Sequence, residues 1–397
     1  MSARAFRSTG GVVAALFLAS CADPTGSDTV VSASESRARE RGLTPASIEW
    51  NEVARGLVAK NLSNVFVAFR AYATLSVAQY DAVLAAERAS SEGNYVSRRA
   101  AVAAASAQAL RYIYPADSAT LRALLRQQVG SPEWLEAGGT DAATGETVGR
   151  RAGEQAVDRA MTDGYFAPWT GTVPAGDGFW FSSANPPAPP GGAVIGQART
   201  FFLTSGDQFR PPPPPAFGSP EFLAALTEVR QVSDTRTRVQ DSIAKFWAFG
   251  AGTFHPPGYW NLEASTLAGR ERWSERRTAH LLALMNMVAM DAIIASHDAK
   301  YAYWLIRPWQ ADPAITLSVP APNFPSYPAN HATISAAMAE VLAAAFPGQA
   351  ARLRELADQA AMSRLYGGIH YRFDNDAGLQ LGRAIARYAL ELEAYPR

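Results

Sequence analysis

The stretch VFVAFRAYATLSVAQYDAVLAA, residues 65–86, places Val65, Ala68, Tyr72, Leu75, Ala82 and Ala86 at the three- and four-residue steps that align side chains along one helical stripe. Outward from it the same spacing runs through residues 45–165, which read as an N-terminal helical region. Residues 166–218 change character, with Pro186, Pro187, Pro189 and Pro190, then Gly191-Gly192, then an unbroken run from Pro211 to Pro215. Proline lacks the backbone donor and fixes φ, so this stretch is expected to be an irregular connection. Its aromatic residues Phe179, Trp180, Phe181, Phe201 and Phe202 suggest that it packs against the body. Helical patterning returns over residues 219–397, where Leu381, Ile385, Tyr388 and Leu392 mark the inner face of the last helix. No alternating β pattern of useful length and no fixed repeat interrupts this, so the expected fold is all-α: two packed helical bundles with the proline-rich connection lying across them.

With 397 residues, 48% of them hydrophobic and 18% charged, the chain has ample material for a large core. Thirty-six basic residues balance thirty-six acidic ones, which argues against a nucleic-acid-binding protein that relies on a basic surface. Any anion site must be local. Lysine occurs only at 60, 245 and 300, the other basic residues being arginine, so a lysine within a motif carries weight. A single cysteine excludes both an internal disulfide and a cysteine-based zinc site. That residue, Cys21, ends an apolar run, Gly11 to Leu18, which follows Arg4 and Arg7 and is too short to span a bilayer. The sequence Leu18-Ala19-Ser20-Cys21 resembles a bacterial lipobox. It implies a signal peptide over 1–21, lipidation of Cys21, and a protein held by its lipid at the periplasmic or extracytoplasmic face of a bacterial envelope. The polar residues 22–44 read as a flexible tether, and the membrane is expected as a partner through the lipid anchor alone.

Three segments near the C-terminus concentrate cations and histidines. In Lys300-Tyr-Ala-Tyr-Trp-Leu-Ile-Arg307-Pro308 the seven-residue step would bring both cations to nearly one helix face if the helix lasted that far. The aromatic and aliphatic residues between them bury the neighbourhood, and a buried cation needs an anion. In Phe324-Pro-Ser-Tyr-Pro-Ala-Asn330-His331 the prolines keep the approach extended, and a helix is expected to start at Asn330 or His331. Its unpaired amides and dipole would favour an anion. In Ser363-Arg364-Leu-Tyr-Gly-Gly-Ile-His370-Tyr-Arg-Phe-Asp374 the glycines end one helix and admit another, which lets Arg364 approach His370. Asp374, four residues on and expected on the same helical face, can orient the imidazole.

Taken together, Lys-x6-Arg-Pro, Pro-x-x-His and Ser-Arg-x5-His-x3-Asp resemble the superfamily of type 2 phosphatidic acid phosphatases, bacterial acid phosphatases and vanadium-dependent haloperoxidases. Asp298-Ala299-Lys300-Tyr301, His370-Tyr371-Arg372-Phe373-Asp374, Arg236-Thr237-Arg238-Val239-Gln240, Phe246-Trp247 and Trp260-Asn261 lean towards the haloperoxidase branch. The likeness covers most of 219–397 and the N-terminal helices only loosely. It implies a vanadate cofactor with His370 as the apical vanadium ligand and Asp374 behind it. It further implies His331 as general acid or base, and Lys300, Arg307 and Arg364 as the groups that neutralise the oxyanion. Charge-assisted hydrogen bonds of about 1.5–3 kcal/mol each would hold vanadate without a protein-wide basic field. Phe324 matches a position near the halide pocket. The pattern usually carries Ser-Gly where this chain has Ala329-Asn330, so a hydroxyl donor is lost, and either the Asn330 side-chain amide or backbone N–H groups would replace it.

The expected activity is oxidation of halide by hydrogen peroxide. The same segments fit a phosphomonoesterase that needs no cofactor and works through a phosphohistidine at His370, with His331 protonating the leaving group. Two further readings are a metal-dependent phosphohydrolase built on His280, His297 and Asp298, and a non-catalytic oxyanion-binding lipoprotein, for which Ala329 is the sole argument. Small-molecule substrates are expected in each catalytic case, and nucleic acid in none.

Overall fold

The computed structural model describes residues 42–91, 94–130 and 141–394. Cys21, the signal-peptide reading and nearly all of the tether lie outside those residues. Among the described residues there are thirteen α-helices and no strand, as the periodicity predicts. Five helices precede the irregular connection: α1 (Ala46–Lys60), α2 (Val65–Ala89), α3 (Arg98–Ile113), α4 (Ser118–Val129) and α5 (Ala142–Thr162). Eight follow it: α6 (Pro220–Thr235), α7 (Arg238–Ala248), α8 (His255–Arg270), α9 (Glu275–Tyr303), α10 (Pro308–Ala311), α11 (Asn330–Ala345), α12 (Ala350–Tyr366) and α13 (Arg372–Ala394).

Helices α2, α3 and α5 pack on one another, as do α11, α12 and α13, and α9 lies between the two groups against α2 and α11. At 29 residues, α9 is about 44 Å long at the helical rise. It is the one described helix long and apolar enough to cross a membrane, yet 89% of its most apolar window is buried inside the protein, where it forms the central rod of the core. Close approach of α13 to α11 depends on Gly382, where an added Cβ would lie 2.1 Å from the Thr333 carbonyl oxygen. The stripe anticipated on α2 is real but incomplete. Residues 68–76 are buried on every side, including Arg70, because α1, α3, α5, α8 and α9 all contact this helix. Arg70 meets its charge requirement through a bidentate pair with Asp163, at 2.6 and 2.7 Å.

Between α5 and α6 only a short 3-10 turn, Ile195–Gln197, is regular. Proline-rich backbone still offers carbonyls, and tyrosines supply the donors: Tyr303 to Pro211 and Tyr327 to Pro212, both at 2.8 Å, and Tyr301 to Gly191 at 2.6 Å. Asp291, buried on α9, accepts the backbone N–H groups of Phe201, Phe202 and Leu203 at 2.7–3.0 Å. Packing of the connection's aromatics is only partly as expected. Trp180 is buried, whereas Phe179 and Phe181 on either side of it are exposed. An extended chain turns successive side chains to opposite sides, so a run of three cannot all face the core.

Candidate active site

Lys300 sits on the last turn of α9, which ends at Tyr303 because Trp304 takes a left-handed conformation, φ 51°. The helix therefore stops short of Arg307, and helical phase does not relate the two cations. Arg307 lies in extended backbone, φ −83° and ψ 154°, as a residue before proline prefers. Both nevertheless converge on the 323–328 segment. The Lys300 ammonium donates to the carbonyls of Pro325, Ser326 and Pro328 at 3.0, 2.7 and 2.5 Å. Its three N–H groups are thereby used, and it supplies charge and loop geometry rather than a direct bond into the cavity. Arg307 donates through Nε to the Phe324 carbonyl (2.9 Å) and through Nη1 to the Ile369 carbonyl (2.7 Å) and the His370 ring (2.9 Å). Its Nη2 is buried without a protein partner.

Helix α12 ends at Tyr366 and α13 begins at Arg372, with Gly367 and the left-handed Gly368, φ 76°, between them. His370 thus precedes α13 instead of sharing its face with Asp374. The contact survives through an N-terminal capping geometry. At the third position of α13, Asp374 Oδ2 accepts the Tyr371 backbone N–H (3.1 Å), the His370 Nδ1–H (2.8 Å) and the Ser326 hydroxyl (2.5 Å). With Nδ1 protonated, the His370 lone pair resides on Nε2. On α12, Arg364 donates to Ser363 Oγ and to the Ala244 carbonyl, both at 2.8 Å.

Helix α11 starts at Asn330, as the sequence predicts. Its first two residues do different work. His331 donates its Nε2–H to the Trp247 carbonyl at 2.8 Å, leaving Nδ1 as the basic nitrogen. Asn330 accepts from Ser296 (2.6 Å), and its amide meets His297 Nε2 at 3.1 Å. The replacement donor expected of Asn330 is thus engaged elsewhere, because His297 donates Nδ1–H to the Gly192 carbonyl (2.9 Å) and needs a donor at Nε2. His280, His297 and Asp298 do not assemble. They share helix α9, where the seventeen residues from 280 to 297 span about 25 Å; Asp298 pairs with Arg210 and His280 with Glu393. Among the described residues no group of His, Cys, Asp and Glu could hold a metal ion.

Burial sets the electrostatics. Lys300, Arg307, Arg364 and Asp374 are each at most 2% exposed, and Asp374 is the carboxylate that acts on Lys300 and Arg307. Desolvation lowers Arg307 and Arg364 to about 9, still charged at neutral pH, and with help from Arg307 it holds Lys300 well below its ordinary value, against the opposing pull of Asp374. It also holds His370 and His331 well below the ordinary histidine value, reinforced by the neighbouring arginines, so both are neutral. Burial raises Asp374 to about 6, against the pull of Ser326, Lys300 and Arg307.

His331, Arg364, His370, Asn330 and Phe324 line one cavity of about 470 Å³, whereas Lys300 and Arg307 stand behind it. Ser326 and His255 were not foreseen from the sequence, and His297 was foreseen only as a member of a metal cluster. Ser326 lies inside a quoted motif, but its bond to Asp374 joins residues 48 apart. His255, which also lines the cavity, bears no spacing relation to any motif.

Residues 347–395, which carry Arg364, His370 and Asp374, match the VCPO second helical-bundle domain. The crystal structure of the first bacterial vanadium-dependent iodoperoxidase superposes with a TM-score of 0.74 at 22% identity, covering 87% of this chain and 95% of that one. A holo-type bacterial vanadium-dependent chloroperoxidase gives a TM-score of 0.66 at 14% identity, over 83% of this chain and 91% of the other. No curated protein matches in sequence. In fold the chain resembles these bacterial vanadium-dependent haloperoxidases, and its C-terminal helices match the VCPO second helical-bundle domain.

Proposed function

We propose that the protein is a vanadate-dependent haloperoxidase that oxidises halide with hydrogen peroxide. The observation that carries this reading is three buried cations against one carboxylate, gathered around an imidazole whose Nε2 lone pair faces Arg307. Such an excess of buried positive charge is costly without an anion. The residues fit a tetrahedral oxyanion. Arg307 brings an unpartnered Nη2, Arg364 brings charge at the cavity floor, and the first turn of α11 brings unpaired amides. Lys300 adds charge from behind, and His370 Nε2, which Arg307 Nη1 reaches at 2.9 Å in this structure, would be the vanadium ligand. Bound vanadate would supply the Lewis acidity that activates peroxide for two-electron oxidation of halide.

The chain's own part is to bind, orient and move protons. Asp374 fixes the His370 tautomer, so that Nε2 and not Nδ1 is presented. His331, neutral at neutral pH, is placed to take up and return a proton at Nδ1 while Trp247 holds its other nitrogen. Net oxidation consumes one halide, one peroxide and one proton, and yields hypohalous acid and water. The deciding experiment incubates the protein with orthovanadate, peroxide and bromide or iodide, and separately with a generic phosphomonoester. Vanadate-dependent halide oxidation is the expected result. Phosphomonoester hydrolysis inhibited by vanadate, with no halide oxidation, would overturn it. At the cell level the proposal is that a lipid on Cys21 holds the enzyme at the envelope; a Cys21→Ser variant processed and membrane-bound like the parent refutes that.

A further inference from the structure

The chain enters its fold beside a cluster of arginines that the active site does not use. Gly42, Leu43, Thr44 and Pro45 line a depression together with Gly269, Arg272 and Trp273. Glu275, the first residue of α9, accepts the backbone N–H groups of Ala46 and Ser47 at 2.5 and 3.1 Å, which seats the start of α1 on the start of α9. Around this point Arg270, Arg272, Arg276 and Arg277 are all exposed. The acidic groups beside them are engaged: Glu271 accepts from Trp273 Nε1 (2.8 Å), Glu275 holds α1, and Glu87 pairs with Arg276 (2.6 Å). Arg277 lies over the Trp273 ring at 3.5 Å, and that ring stacks on Phe346 at 4.4 Å. Arg270 and Arg272 have no carboxylate within ion-pair distance among the described residues.

The sequence just before this point repeats the sign. Arg37, Arg39 and Arg41 stand against Glu40 in the six residues ahead of Gly42. These three and the four exposed arginines make seven gathered at one point of a chain whose net charge is zero. A protein without net charge is not drawn to a charged surface as a whole, and at a Debye length of about 8 Å only a local cluster acts. Basic residues close to an anionic bilayer each strengthen the contact about fivefold. The lipid proposed on Cys21 brings a bilayer within reach, since a flexible chain of twenty residues, the length of 22–41, has an r.m.s. span of about 25 Å. The exposed aromatic residues Phe179, Phe181 and Phe217 are worse placed. Phe179 pairs with Leu305, past the far end of α9, which begins at the arginine cluster and runs for about 44 Å.

We infer that the face carrying Arg270, Arg272 and Arg277 docks on an anionic phospholipid bilayer and so orients the anchored protein. The inference rests on the lipid-anchor reading and is independent of the chemistry at His370. Headgroup phosphates suit guanidinium groups, whose planar fork donates two parallel N–H bonds to one phosphate. The tether makes docking intramolecular, so a contact too weak to recruit free protein is sufficient. Helix α9 starts at this face and carries Lys300, twenty-five residues after Glu275, about 37 Å along its axis. Docking there covers none of the residues that line the active-site cavity, so small substrates still reach it from solution.

The full lipidated chain, inserted into vesicles of phosphatidylcholine alone or with phosphatidylglycerol added, tests this through hydrogen exchange of backbone amides. Amides of 269–277 are expected to exchange more slowly on the anionic vesicles, and those of 179–181 and 217 equally on both. High salt should remove the slowing. Arg270→Gln/Arg272→Asn should lower the ratio of docked to undocked chain about thirtyfold while the protein stays on the vesicle; asparagine tolerates the left-handed φ of 51° at position 272, so the loop is kept. Equal exchange of 269–277 on both vesicles, or slowing unchanged in the double variant, overturns the docking face and leaves the lipid anchor standing. Slowing at 179–181 and 217 instead overturns it as well, because the aromatic end would then face the bilayer. A chain that does not stay on phosphatidylcholine vesicles carries no lipid, which overturns the anchor and the inference with it.

Discussion

His370 and His331 occupy one cavity but are held differently, and this separates their expected phenotypes. His370→Ala removes the Nε2 ligand, so orthovanadate binding, followed by equilibrium dialysis, and vanadate-dependent oxidation should both disappear. His331→Ala keeps the oxyanion residues and should bind orthovanadate like the parent while turnover falls ~10²–10⁴-fold, the usual contribution of positioned proton transfer. A His370→Ala protein that binds orthovanadate as the parent does would sink the site. The His297–Asn330 pair makes a second residue-level prediction. His297 is buried and neutral, its value lowered to about 3 by desolvation, and it accepts from the Asn330 amide. His297→Phe keeps the ring but leaves that amide unpaired, at a cost of about 1–3 kcal/mol. Removing the stranded amide as well, in His297→Phe/Asn330→Ala, should restore part of the loss. Strictly additive destabilisation in chemical denaturation would show that the two side chains do not depend on each other.

Among the elements, α11 and α13 each carry part of the site at an N-terminus, so their separation sets its geometry. Gly382→Ala would drive a methyl group against the Thr333 carbonyl. The helices must part, at about 1–3 kcal/mol, in the manner of an overpacked core. The expected outcome is a lower unfolding midpoint together with weakened orthovanadate binding, although residue 382 touches neither His331 nor His370. Unchanged binding in a destabilised variant would mean that the site tolerates movement between these helices. Helix α9 makes a different contribution. Its charged Lys300 end is stapled to the carbonyls of 325–328, so the approach to α11 is fixed by a helix that ends 27 residues earlier.

For the whole molecule, pH enters through buried carboxylates that hold the irregular connection. Asp291 is raised to about 6, chiefly by burial, against an ordinary value of 3.8. Between these values the folded state binds a proton that the unfolded state has released, so this group's contribution to stability falls as pH rises from 4 to 6. The shift corresponds to about 3 kcal/mol. Asp291→Asn cannot titrate, so the stability of the parent relative to this variant should decline by about that amount between pH 4 and 7 in denaturant titrations; a pH-independent difference would refute the assignment. Periodicity at 65–86 and along the C-terminal helix was enough for an all-α reading, since side-chain spacing on a helix is a local property. Pro-x-x-His located the start of α11, because prolines and helix starts act within a few residues. Motif order made the cations and histidines legible as one set. Their roles were not, because hydrogen-bond partners come from distant segments: Lys300 spends its donors on backbone, Asn330 turns to His297, and Ser326 joins Asp374. The cavity is equally absent from any local pattern, since Leu62, Phe249 and His255 line it only when α1, α2, α7 and α8 have packed. Sequence determined which residues are helical and which chemical groups are present; tertiary packing alone decided which of those groups face the cavity, because burial and the need to satisfy every buried donor are properties of the assembled chain.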